Sequence, residues 1–159
     1  IKRTSKRKNA RQYIKKKSSL SYEPVETTVI TDKKWLSFVI EQVISNAVKY
    51  TKTGGIKIYL EDGDGTMSVP VQKASHRKED DGENSGMKSV RLVIEDTGIG
   101  IRAEDLPRIC EMGYTGCNGH EGQHSSGIGL YLCSRILKKL GHTFSITSKE
   151  GVGTVVKIG

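Results

Sequence analysis

Apolar residues recur along this chain in two rhythms, and the change from one to the other marks out its elements. Leu36, Val39, Ile40, Val43, Ile44, Ala47 and Val48 fall three, four and seven apart. That is the spacing of one helix face, and it predicts an amphipathic helix over residues 33–50, with Thr31 or Asp32 as its N-cap. Ahead of it, Leu20 and Tyr22 alternate with Ser19 and Ser21, predicting a half-buried strand over 18–23 closed by Pro24. The β-branched run 25–30 predicts a second short strand. Thr53, Gly54 and Gly55 read as a turn, and Ile56, Ile58 and Leu60 as the inward side of a strand over 56–60. Val90, Leu92 and Ile94 place another strand over 89–95. A helix is predicted over 127–140, ended by Gly141. Strands over 144–148 and 154–158 flank the turn Glu150, Gly151, Val152, Gly153. Helices alternating with mostly antiparallel strands point to an α/β two-layer sandwich.

Three stretches break the pattern. Residues 8–17 can form a basic helix with Ala10, Tyr13 and Ile14 on a narrow apolar stripe. Residues 62–89 are polar, charged and glycine-rich, and read as an exposed, partly disordered insertion with a short strand at 66–71. Residues 113–126 carry Gly113, Gly116, Gly119 and Gly122.

The chain's 159 residues and 17.5 kDa are enough for one core, so a single domain over 1–159 is the expectation. No apolar run is long enough to span a membrane, and there is no signal-peptide pattern. A start at Ile1 fits a piece cut from a longer protein. Cys110, Cys117 and Cys133 form no C-x-x-C pair, which points to a reducing compartment rather than a disulfide framework or zinc site. His76, His120, His124 and His142 lack metal spacing; His120 and His124 lie four apart, but in glycine-rich surroundings. The net charge of +8 is concentrated in residues 1–20, which hold nine Lys and Arg and no acid. That end could face an anionic surface or form a solvated helix face. With Tyr13 the single aromatic among these charges, too few to stack successive bases, the solvated face is favoured and no nucleic-acid partner is expected.

Three polar groups then suggest chemistry. Asn46, Lys49 and Tyr50 sit together beside the apolar face of the 33–50 helix. Asn46 could be a satisfied core amide, or its hard oxygen could serve Mg²⁺ while Lys49 neutralises phosphate. Asp96, Thr97, Gly98, Ile99, Gly100 and Ile101 follow a strand. An acid there can accept a hydrogen bond from an exocyclic amine such as adenine's, and the glycines permit close approach and positive φ. The stretch leading into Gly127, Ile128, Gly129 and Leu130 could fold over a ligand ahead of a helix N-terminus that offers free N–H groups to phosphate. Each segment alone is ordinary. Their order is not.

Together these residues resemble the ATP-binding domain of sensor histidine kinases, in the ATPase superfamily that also holds gyrase, Hsp90 and MutL. The resemblance runs from about residue 32 to 158 and is broken mainly at 62–89. Residues 41–51 look like the family's N box, 96–101 like its G1 box and 127–130 like its G2 box. Gly151-x-Gly153-Thr154 matches its closing motif. Asp32-Lys33-Lys34-Trp35-Leu36 and residues 113–120 further resemble the intramembrane-sensing kinases of Gram-positive bacteria.

The resemblance implies a Bergerat-type ATP-binding fold, a mixed and mostly antiparallel sheet packed on helices. It implies ATP and Mg²⁺ as cofactors, with Asn46 as the metal ligand and Asn46 and Lys49 as catalytic residues. Lys49 and Tyr50 would line the phosphate and sugar side, and Asp96 would bind the adenine amine. Gly98, Gly100 and Ile101 would shape the base pocket, with Thr154 near adenine. Thr115, Gly116, Gly127, Gly129 and Leu130 would hold the phosphates and lid. The γ-phosphate would pass to a histidine on a dimerisation domain of the same full-length protein, then to a response regulator; a peptide-transporter permease is a further implied partner. The chain would then be a cytoplasmic domain of a membrane protein.

Three positions depart from the family. Hydrolysing relatives carry a Glu four residues before the Asn, and here Gln42 stands there, with Glu41 one place earlier. An amide is no general base at neutral pH, so slow or absent hydrolysis is expected. Cys110 replaces a common Phe and His120 a common Arg. The alternatives are another ATPase or serine kinase on the same fold, or a non-catalytic nucleotide-binding module.

Overall fold

The computed structural model describes residues 18–22, 27–63, 89–116 and 126–159. In it Asp32 is the cap of helix α1, Lys33–Tyr50. Its Oδ1 accepts from the backbone N–H groups of Lys34 at 2.9 Å and Trp35 at 3.1 Å, satisfying donors that the helix cannot pair internally. Asp32→Ala is therefore expected to destabilise the fold by about 1 kcal/mol, measured by chemical unfolding; an unchanged midpoint would mean that water replaces the cap at no cost.

Among the described residues five strands form one sheet in the order β1-β2-β3-β5-β4. They are β1 (Ser18–Tyr22), β2 (Gly54–Asp62), β3 (Val90–Asp96), β4 (Phe144–Lys149) and β5 (Gly153–Ile158). Of the four pairings among the described residues, β1 with β2 is parallel and the other three are antiparallel. A second helix, α2 (Gly129–Leu140), packs beside α1 on the same face of the sheet. The inward rows follow from strand register: Leu60, Leu92, Ile158 and Phe144 in one, Ile58, Ile94, Val156 and Ile146 in the next. Against them pack Val39, Val43 and Ala47 of α1 and Cys133 and Leu137 of α2. Cys133 is fully buried, and burial pushes its thiol up to about 12, so it stays protonated and unreactive. The result is the two-layer α/β arrangement.

On the far face, Glu61 receives Lys157 at 2.7 Å and Arg91 at 3.4 Å, tying β2, β3 and β5 together. Among the described residues no helix is long and apolar enough to cross a membrane.

Several expectations shift. The strand expected over 25–30 is absent where it can be seen: residues 27–30 have no regular structure and Ile30 is 97% exposed. Strand preference is a fit to a half-buried pleated surface, and this run has no neighbour to pair with. The turn expected at 53–55 shrinks, because β2 already starts at Gly54 and runs on to Asp62. There Gly55 N–H donates to Thr97 Oγ1 at 2.9 Å. The helix expected from 127 starts at Gly129. Gly127 has φ 66°, a left-handed conformation outside any right-handed helix, and a Cβ on it would lie 2.4 Å from the Gly113 carbonyl carbon. A 3₁₀ turn at Leu106–Arg108 was not foreseen from the pattern. The helix expected at 8–17, the strand at 66–71, most of the 62–89 insertion, and Cys117, His76, His120 and His124 lie outside the described residues.

Candidate nucleotide site

The site begins with strand parity. Leu92 and Ile94 face the helices, so Asp96, two further on, faces them as well. It occupies the last inward position of β3, in a row with Ile56, Thr154 and Ser148. A carboxylate there is 9% exposed. Its Oδ1 accepts the Gly98 N–H at 2.8 Å, and the Thr154 N–H also favours the charged form. Burial outweighs these donors and holds the carboxyl above the ordinary aspartate range. Beneath it the Thr51 hydroxyl is fully buried without a hydrogen bond of its own. Its dipole still favours the carboxylate, though less than either backbone N–H.

Residues 96–101 are wedged between the end of α1 and the β4–β5 turn. Ile99 N–H donates to the Tyr50 carbonyl at 3.2 Å, and Ile99 O accepts from Gly151 N–H at 2.8 Å. Gly100, at φ 68°, lies so close to the hairpin that a Cβ would meet Lys149 O at 2.0 Å. Ser148 locks the far side. Its hydroxyl accepts Ile101 N–H at 2.9 Å, donates to Gly153 O at 2.8 Å and lies 2.9 Å from Thr154 Oγ1.

These elements enclose a cavity of about 360 Å³, within the range of small-molecule sites. Of the residues singled out from sequence, Asn46, Lys49, Tyr50, Asp96, Gly100, Ile101, Thr115, Gly116, Gly127, Gly129, Leu130 and Thr154 all line it. Gly98 does not. It lies behind Asp96, where a Cβ would come within 2.7 Å of Tyr50 O and 2.8 Å of Asp96 Oδ1. Its place is explained by the turn that orients the acid, not by the cavity wall.

The cavity lining is of two kinds. Around Asp96 the walls are Ile94, Ile146 and Val156. Asn46 and Lys49 also line it, the Lys49 ammonium 5.1 Å from the Tyr50 ring centroid. The N-terminus of α2 borders the cavity through Gly127, Gly129 and Leu130, with Ile128 at its N-cap and no side-chain cap bond, leaving backbone N–H groups for an anion. Gln42 lines the cavity, whereas Glu41 is exposed and does not. The acid one residue away is therefore no substitute for the missing carboxylate. Cys110 is half-buried and its neighbour Ile109 takes the wall position; burial raises the Cys110 thiol.

Sequence reading missed Asp105, Tyr114 and Ser148. Asp105 and Tyr114 line the cavity and are joined by a hydrogen bond across nine residues. No periodicity signals such a pair.

Residues 31–159 match the family described as histidine kinase-, DNA gyrase B-, and HSP90-like ATPase. The chain is 36% identical over 132 residues to the sensor histidine kinase YxdK of Bacillus subtilis, covering 81% of this chain and 33% of that protein. It is 34% identical over 134 residues to the sensor protein kinase GraS of Staphylococcus aureus, covering 84% and 32%. The chain thus spans about a third of the length of these relatives. Its fold matches full-length ShkA in complex with AMPPNP, with TM-score 0.69 and 19% identity over 98% of this chain and 28% of that one. It also matches the nucleotide-free catalytic domain of histidine kinase ThkA, with TM-score 0.68 and 19% identity over 98% and 86%. The order of motifs, the mixed sheet under two helices and the sequence match agree: this chain belongs to the histidine kinase-, DNA gyrase B- and HSP90-like ATPase family.

Proposed function

We propose that the cavity holds ATP with its adenine on Asp96 and its phosphates toward Asn46, Lys49 and the start of α2. In the full-length protein the γ-phosphate then passes to a histidine of a dimerisation domain, and from there to a response regulator. The observation that carries this reading is that one cavity is lined by both kinds of group. A buried acceptor among aliphatic walls suits an aromatic base bearing an amine. An amide, an ammonium and unpaired helix N–H groups suit a polyphosphate.

The residues present fit a magnesium ion only as the nucleotide's companion. Among the described residues no cluster of three His, Cys, Asp or Glu could hold a metal alone. Asn46 would give one hard oxygen, with phosphate oxygens and water completing the shell, as Mg²⁺ prefers. The ion would supply neutralisation of phosphate charge. Lys49 adds to that neutralisation, Tyr50 and Leu130 bound the space, and Gln42 leaves water without a base. What remains is positioning and charge, which is most of what phosphoryl transfer requires. Transfer to a protein acceptor is favoured over hydrolysis.

The same reading makes the chain a cytoplasmic part of a membrane sensor, with 1–159 acting as one unit around the 62–89 insertion. A peptide-transporter permease is a further candidate partner. Calorimetric titration with AMPPNP tests the core of it. Binding is expected, tighter with Mg²⁺ than without; no heat under either condition would overturn it.

A further inference from the structure

Asp105 and Tyr114 are cavity residues without a part in the reading above. Asp105 precedes the 3₁₀ turn, where an aspartate ordinarily caps, yet it makes no cap bond. It is 6% exposed, and its Oδ1 accepts the Tyr114 hydroxyl at 2.5 Å. Its Oδ2 faces the Gly116 backbone, since a Cβ on Gly116 would meet that oxygen at 3.3 Å. The Tyr114 ring is covered by the Arg108 guanidinium, 4.4 Å from the ring centroid. Arg108 is held in turn by Glu111 at 3.1 Å. One residue before Tyr114, Gly113 N–H donates to Gly127 O at 3.1 Å. The chain is therefore fastened twice where the glycine-rich stretch begins: to the residue leading into α2, and to the 3₁₀ turn. Thr115 and Gly116 follow at once on the cavity wall.

We propose that Asp105 and Tyr114 are positioning residues. Their hydrogen bond sets Thr115 and Gly116 beside the start of α2, and so determines how tightly the polyphosphate end of the nucleotide is held. The proposal rests on the nucleotide reading and deepens it. A phenol bonded to a carboxylate is a charge-assisted contact, stronger than a neutral pair. It fixes direction as well as distance.

The test uses the full chain, titrated with AMPPNP and with ADP, and with the unfolding midpoint recorded for each variant. Tyr114→Phe keeps the ring and its cation contact and removes the hydroxyl. It is expected to weaken AMPPNP binding about fivefold to tenfold, less than the full worth of such a bond because the nucleotide feels it only through Thr115 and Gly116, and ADP by a clearly smaller factor. It will also lower the midpoint, because the Asp105 carboxylate is left buried without its donor. Tyr114→Phe/Asp105→Asn removes that stranded charge. The midpoint should then recover while AMPPNP binding stays weak. If affinity recovers together with stability, or if Tyr114→Phe leaves the AMPPNP-to-ADP ratio unchanged, the pair is structural and the proposal fails. Should the unaltered chain bind neither nucleotide, the nucleotide reading falls first and this proposal with it.

Discussion

Asp96→Asn is expected to weaken binding of an ATP analogue about a hundredfold or more, close to abolition in a calorimetric titration. The carboxylate is an acceptor on both oxygens, and one is already taken by the Gly98 N–H at 2.8 Å. An asparagine must turn its amide group either to Gly98 or to the cavity, and on each side it would meet a donor. A lost bond to a charged acceptor together with an unpaired donor amounts to roughly 3 kcal/mol, or about two decades in Kd. The fold should survive, since the substitution preserves shape and removes a buried charge. An affinity within threefold of the unaltered chain would place the base elsewhere.

The same carboxylate gives a pH signature. Burial holds Asp96 above its ordinary 3.8 in the folded chain, so the nucleotide-free fold binds that proton more tightly than the unfolded chain does. Stability from this group therefore rises as pH falls from the raised folded value toward the ordinary one, by linkage. Nucleotide affinity must run the other way, because protonation removes the acceptor. Acidification should thus weaken binding at a pH where exposed aspartates are still ionised, while this group favours the nucleotide-free fold. Asp96→Asn should lose both trends.

Part of this site is legible from local pattern and part is not. The α1 bounds follow from a seven-residue apolar face and an aspartate placed to cap it, both contained in one short stretch. Asp96 is legible too, because the alternation of Leu92 and Ile94 continues through it and puts an acid where a core residue belongs. Residues 25–30 mislead for the opposite reason: β-branched side chains report a taste for a sheet, and only a neighbouring strand can satisfy it. Ser148 reads as an ordinary strand serine until Ile101, 47 residues away, donates to it. Asp105 and Tyr114 hide in the same way. Gly98 shows a subtler limit, since its motif marks the site while its work is to seat Asp96 from behind. Residues that act through tertiary partners leave no periodic trace.

Asn46 carries the other large expected effect. It stands on α1 one turn before Tyr50, beside Lys49 and on the cavity wall, where the helix brings three polar side chains together. Asn46→Ala removes the amide oxygen and improves helix propensity, so loss of fold is no competing explanation. Phosphotransfer to the acceptor domain is expected to fall about a hundredfold or more, as when a preorganised group at a charge-developing centre is deleted. The gain in nucleotide affinity that Mg²⁺ brings to the unaltered chain should vanish in the same variant, which titration reads without any acceptor present. A transfer rate within fivefold of the unaltered protein would mean that Lys49 and the α2 N-terminus suffice to hold the phosphates. Loss of transfer with the Mg²⁺ dependence intact would instead assign Asn46 to docking of the acceptor. Only the two losses together make it the residue through which this helix, rather than the glycine-rich stretch, governs the reacting phosphate.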